Sequence, residues 1–158
     1  MTMKPIKRSE ALKQLSKDHH FNLLFIWKIR QGLKLNVELL RIQKFIAHFF
    51  NEQILHHFSV EEKYLFCLLP DEDLLRTRAE QEHFAIKRSF GKMSDDSFTK
   101  NEVIEFTNLL ESHIRFEERT LFNHIEKTIP DKLQQAAKYF TAEHAEDGWQ
   151  DAFWLKAK

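Results

Sequence analysis

The chain has 158 residues, 42% hydrophobic and 30% charged, with only 3 Gly and 3 Pro. That is the length of one domain able to bury a core, and it is poor in chain breakers. Lys plus Arg equal Asp plus Glu at 24 each, so no broad basic field is available for nucleic acid or an anionic membrane. The single cysteine, Cys67, excludes a disulfide framework or a thiolate metal cluster.

Residues 1 to 17 carry Lys4, Lys7 and Arg8 but no apolar run of signal-peptide length. No uninterrupted apolar segment is long enough to span a bilayer. The expected setting is soluble, reducing and cytoplasmic. Period-two alternation is absent, so no strand is predicted. A first helix is expected over residues 9–31, with Leu12, Leu15, His19, Leu23 and Ile26 at spacings of three or four and Gly32 at its stop. Asn36 is placed to cap a second helix that runs to Leu69 and ends at Pro70. Its inward stripe is Leu39, Ile42, Ile46, Phe50, Ile54, His57, Glu61, Leu65 and Leu68. Cys67, set among Leu65, Phe66, Leu68 and Leu69, reads as a small buried hydrophobe. Asp71, Glu72 and Asp73 place acid at the start of a third helix, where the dipole favours it. That helix carries Leu75, Ala79, His83, Ile86 and Phe90 and ends near Gly91. After a polar loop over 94–99, a fourth helix spans about 100–129, with Val103, Phe106, Leu110, His113, Glu117 and Leu121 inward, and stops at Pro130.

The expected fold class is therefore all-α: an antiparallel up-down-up-down four-helix bundle over residues 1–130. A shorter amphipathic segment follows over 131–145, then a tail with Trp149, Phe153 and Trp154. The tail over 131–158 is expected to pack back on the bundle or to make a homodimer contact.

Two decapeptides repeat one pattern: His57-Phe-Ser-Val-Glu61-Glu62-Lys-Tyr-Leu65-Phe66 and His113-Ile-Arg-Phe-Glu117-Glu118-Arg-Thr-Leu121-Phe122. A His and a Glu four residues apart share one helix face. Asp18-His19 and Glu82-His83 extend the repeat, so each half reads acid, His, loop, then His-x-x-x-Glu-Glu. Related by a pseudo-two-fold, the halves would bring His19, His57, Glu61, His83, His113 and Glu117 into one interior. Unpaired buried carboxylates there would be a large liability, whereas two divalent cations reverse the sign. Glu61 and Glu117 are the candidate bridges and the four His the neutral donors. Glu62 and Glu118 turn away, toward solvent or a supporting role. Imidazole with carboxylate suits iron, and is compatible with zinc or manganese. Six ligands on two metals leave positions for a small ligand such as O2 or NO. His20 is the alternative first-helix ligand. His48, His56 and His144 lack a paired Glu, and His124 lies in the next layer beyond Glu117. Ferritin-like sites want Glu-x-x-His on two helices, and only Glu80 to His83 has that spacing.

These residues resemble the hemerythrin-like (HHE cation-binding) family over residues 10–128: His19 in a Leu-x-x-Asp-His setting, the doubled His-x-x-x-Glu-Glu-x-x-Leu-Phe block, and Glu82-His83. The resemblance implies a four-helix bundle with a non-haem di-iron site, bridged by two carboxylates and an oxo or hydroxo group. Oxygen-carrying members have a further His four residues after the third-helix His; here that position is Lys87. The set is instead similar to six-ligand members. Those include di-iron proteins implicated in iron–sulfur-cluster repair, which carry an additional N-terminal cysteine-containing domain not found in this sequence. The expectation is a protein that binds or senses O2, NO or a peroxide, or handles iron. The alternatives are a helical interaction module using its aromatic tail, and a di-iron oxidoreductase fed by a separate reductase. No nucleophile with its base and no Gly-rich phosphate loop is seen, so no catalytic residue is assigned and binding is favoured over catalysis.

Overall fold

Few chain breakers and apolar residues spaced by three and four translate into a chain that is helical wherever it is ordered into elements. The computed structural model describes residues 8–140 and 148–156, and no strand occurs among them. No helix among the described residues is long and apolar enough to cross a membrane.

A short 3₁₀ turn, Glu10–Leu12, leads into the first helix, Lys13–Lys34. The expected stop at Gly32 and the expected cap by Asn36 are both displaced. Asn36 closes the first helix instead of opening the second. It sits at φ 57, its N–H reaches the Leu33 carbonyl at 3.1 Å, and the Val37 N–H reaches the Gly32 carbonyl at 3.0 Å. That is the left-handed Schellman closure, for which Asn is the usual substitute for Gly. Gly32 lies inside the helix for a packing reason. A Cβ there would stand 2.7 Å from the Phe153 ring and 3.2 Å from Ile42 Cδ1.

The second helix is one path of several pitches: Leu39–Phe49, a π turn Phe50–Ile54, Leu55–Val60, a second π turn Glu61–Leu65, and a 3₁₀ turn Phe66–Leu68. Leu69 is extended, as the residue before a proline must be. These changes of pitch rotate Leu65, Phe66 and Leu69 inward. Cys67 is therefore exposed, not buried as the sequence suggested, and its Sγ donates to the Lys63 carbonyl at 3.0 Å.

The third helix, Leu74–Gly91, opens on Asp73, whose carboxylate accepts the Leu75 and Arg76 N–H groups at 2.9 and 3.0 Å. The fourth runs through Lys100–Phe116, a π turn Glu117–Leu121 and Phe122–Thr128. Glu102 reaches back to the Thr99 N–H at 2.9 Å to close a capping box. Pro130 then occupies the first turn of a short helix, Pro130–Ala136, where its missing N–H costs nothing. This helix is shorter than the expected 131–145 segment. A 3₁₀ turn, Ala137–Tyr139, follows it, and residues 141–147, with His144, lie outside the described residues.

The helices pack on one another around two apolar clusters. One is dominated by Phe25, Phe45, Phe50, Phe58 and Phe106; the other by Leu12, Leu15, Phe66, Leu121 and Phe122. Each large side chain fully buried in them contributes about 1.5–3 kcal/mol. The tail closes the first cluster. Trp149, Phe153 and Trp154 stand with ring centroids 5.8, 5.3 and 5.5 Å from that of Phe45. Arg41 holds Asp151 through two bonds of 2.9 and 2.5 Å.

Gly32→Ala tests the seat of Phe153. Alanine would gain roughly 0.5–1 kcal/mol in helix propensity, but overpacking a filled core costs about 1–3 kcal/mol. Net destabilisation of about 1 kcal/mol is expected in urea denaturation. A more stable variant would show that the ring does not occupy this place.

Candidate metal centre

Each long helix passes from one apolar cluster to the other, and in the gap between them it carries the polar residues of the core. The first helix contributes His19, the second His57 and Glu61, the third His83, the fourth His113 and Glu117. None is more than 5% exposed, and both glutamates are 0% exposed. The structure thus brings together all six residues singled out from the sequence. Helix phase chooses between the adjacent histidines: His20 is exposed and lies against Phe21, at 6.0 Å between ring centroids.

The six meet through their inner atoms. His57 Nε2 is 3.2 Å from His19 Nε2 and 3.3 Å from Glu61 Oε1. His19 Nε2 is 3.2 Å from Glu117 Oε1. On the other side, His83 Nε2 is 3.1 Å from Glu61 Oε1 and His113 Nε2 is 3.0 Å from Glu117 Oε1. Two groups result, His19, His57, Glu61, Glu117 and Glu61, His83, His113, Glu117, each with its ligand atoms within 4.8 Å of one another. Both carboxylates belong to both groups, and each group takes its two histidines from one half of the chain.

The outer ring nitrogens are all spoken for. His19 Nδ1 meets Glu118 at 2.8 Å, His57 Nδ1 meets Asp18 at 3.0 Å, His83 Nδ1 meets Glu62 at 3.1 Å, and His113 Nδ1 meets Glu82 at 2.8 Å. A carboxylate on Nδ1 fixes that nitrogen as the N–H, which leaves the lone pair of a neutral imidazole on Nε2. Four Nε2 lone pairs and two carboxylates then converge with no donor among them. Glu61 Oε2, His113 Nε2 and both Glu117 oxygens have no hydrogen-bond partner. Buried acceptors left this way cost several kcal/mol each unless a cation joins them. The buried His/Glu cluster could therefore hold a metal ion, and its mixed imidazole and carboxylate donors fit iron, zinc or manganese.

The repeated decapeptide is now legible position by position. Its His and first Glu point inward. Its second Glu, expected to turn away, turns only as far as the lone histidine of the other half: Glu62 to His83, Glu118 to His19. Its final Phe packs on that same histidine, Phe66 on His83 and Phe122 on His19, at ring distances of 5.1 and 5.4 Å. Phe58 stacks on His83 at 3.8 Å. Both π turns at the site begin on the inward Glu, a disposition common at functional positions in helices. Side chains reach carbonyls within both turns: Cys67 to Lys63, Asn123 to Arg119 at 2.9 Å, and Arg8 to Glu118 at 2.6 Å. The acidic neighbour of each ligand was the signal for these partners, though not for which histidine each one serves.

The remaining candidates are elsewhere. His48 lies against Trp149, and His56 is exposed. His124 bonds Asp73 at 2.8 Å, tying the fourth helix to the cap of the third. Lys87 is half-exposed, 3.6 Å from Glu62. Family models, curated proteins and solved structures were all compared with the chain, and none matches it.

Without metal, protons would take the place of the cation. Burial opposes charge on His19, His57, His113 and Glu117 and is the largest single effect on each, yet their neighbours outweigh it. The adjoining Glu117 carboxylate and the bond to Glu118 raise His19, and the field of Glu61 with the bond to Asp18 holds His57 well above its ordinary value. The close Glu117 carboxylate and the bond to Glu82 raise His113 to about 10. The close imidazoles of His113 and His19 hold Glu117 well below the carboxylate range. A raised His stabilises the fold fully below its unfolded value of 6.5 and loses that contribution as pH rises through its folded value. A lowered Glu stabilises above its unfolded value of 4.5 and loses it as pH falls through its folded value. Metal-free protein in a chelating buffer should therefore be most stable between pH 4.5 and 6.5 and weaken toward pH 10. Urea midpoints measured across that range check this, and a flat profile above pH 6.5 would contradict it.

Proposed function

We propose that this protein is a hemerythrin-like, cytoplasmic di-iron protein that binds or senses O2, NO or a peroxide, or handles iron. The observation that carries the reading is the pair of overlapping four-residue groups sharing Glu61 and Glu117. A single-ion site has no use for two carboxylates placed between two separate histidine pairs. His19 and His57 would hold one ion, His83 and His113 the other, and Glu61 and Glu117 would bridge them.

An up-down-up-down bundle is part of this reading, and the order of contacts supports it. The first helix meets the Leu12 cluster before His19 and the Phe25 cluster after it. The second meets them in the opposite order around Glu61, the third reverses again around His83, and the fourth again around Glu117. Four helices that alternate in this way run in alternating directions through one polar layer.

When bound, two irons supply electron-transfer and ligand-binding chemistry toward small molecules such as O2 or NO. The chain's own residues orient and enclose. The carboxylates on Nδ1 hold each imidazole in one tautomer and one direction. Phe58, Phe66 and Phe122 wall the histidines from water. Six protein donors for two ions leave coordination positions for a small ligand. The interaction-module alternative draws less support, because Trp149, Phe153 and Trp154 are engaged on Phe45 of their own chain.

Elemental analysis of anaerobically purified protein should find about two irons per chain, with a near-ultraviolet band on exposure to air. Glu61→Ala and Glu117→Ala should each lose most of that iron. Wild-type iron content in both variants, or no uptake of iron or zinc by the wild type, would overturn the reading.

A further inference from the structure

The four carboxylates outside the histidines make a closed circuit. Asp18 of the first helix holds His57 of the second; Glu62 of the second holds His83 of the third; Glu82 of the third holds His113 of the fourth; Glu118 of the fourth holds His19 of the first. Every helix gives one carboxylate and receives one. The bonded atom is Nδ1 in all four cases. We infer that Asp18, Glu62, Glu82 and Glu118 act as a positioning ring that fixes the four imidazole donors and sets the redox potential of the metals they hold. This inference rests on the metal-binding reading above and concerns residues that contribute no ligand atom to it.

The physical basis is charge transmitted along the hydrogen bond. A carboxylate accepting Nδ1–H raises the basicity of the ring, so Nε2 becomes a stronger donor to a cation and favours its more oxidised state. Each carboxylate is in turn held from outside. Gln14 donates to Asp18 at 3.1 Å, Arg78 to Glu82 at 2.9 Å, and Lys87 stands 3.6 Å from Glu62. Arg8 stands 3.4 Å from the Glu118 carboxylate and donates to its carbonyl at 2.6 Å, with a side chain only 7% exposed. A cation on the outer side draws charge away from the carboxylate and weakens its effect on the ring. The two outer layers therefore act in opposite directions on the same histidine, Glu118 and Arg8 on His19, Glu62 and Lys87 on His83. Carboxylates that only tidied the surface, or only stiffened the helices, would have no such opposed signs.

The test uses the full chain and its metal titration first. If wild-type protein takes up neither ferrous iron nor zinc, the metal-binding reading has failed, and this inference falls with it. If it does take up metal, midpoint potentials are measured at saturating iron for Glu118→Gln, Glu62→Gln, Arg8→Gln and Lys87→Met. The Gln variants keep an acceptor for Nδ1–H but remove the charge. They should retain wild-type stoichiometry, bind metal about 10–100-fold more weakly, and shift the potential upward. Arg8→Gln and Lys87→Met should shift it downward. Lys87 is half-exposed, so its variant folds even if Arg8→Gln does not. In zinc-loaded protein the wild type should show four exchange-protected imidazole N–H resonances, and Glu118→Gln should move only that of His19. Potentials unchanged at wild-type stoichiometry, or shifted in the same direction by both kinds of variant, would overturn the ring while leaving the metal site intact.

Discussion

Everything in this chain is arranged around one electrostatic constraint: six acceptors turned toward each other in a dry interior. Glu61 and Glu117 are wholly buried and the four histidines nearly so. Their inner atoms stand about as far apart as hydrogen-bonded atoms do, yet fixed tautomers leave no hydrogen to share. Such an assembly persists only if positive charge occupies its centre, whether protons or metal ions. The raised histidines and the depressed Glu117 express the same constraint in the metal-free chain. A metal ion bound there would take the place of those protons and release them.

The polar layer is tolerable because it is thin and apolar packing flanks it on both sides. The clusters around Phe45 and Phe66 hold most of the large buried side chains. Each such side chain contributes a few kcal/mol, against several for each unsatisfied acceptor between them. The tail belongs to this balance. Phe153 fills the notch left by Gly32, and the Arg41 to Asp151 pair holds the tail in place, so the cluster around Phe45 is closed by residues distant in sequence.

The helices and the six inward residues were legible because both depend on periodicity within one helix. A His and a Glu four apart must share a face whatever lies opposite. The same logic identified Ala79, Val103 and Leu110 as core. What was not legible depends on the partner helix or on a change of pitch. Gly32 looks like a helix stop until Phe153 is seen beside it, and Asn36 looks like an opening cap until its positive φ shows that it closes the helix before. Cys67 sits in an apolar run, yet the π turn and the 3₁₀ turn around it place Leu65, Phe66 and Leu69 inside and leave the thiol outside. Glu62 and Glu118 lie off the ligand face, as expected. Their partners, His83 and His19, are on the other half of the chain, and no single-helix period encodes that register.

The two halves of the chain make matching contributions to this layer. Each half supplies two histidines, one carboxylate shared by both inner groups, one carboxylate that holds a histidine of its own half and one that holds a histidine of the other. Lys87 stands beside Glu62, on the outer side of the carboxylate that holds His83. Arg8 occupies the corresponding place beside Glu118, although it comes from the segment before the first helix and not from a helix at all. The same place beside a carboxylate is filled from unrelated points in the chain. A charge acts through its distance from the carboxylate and not through the element that carries it, so a cation at that position can be delivered by any backbone that passes within reach.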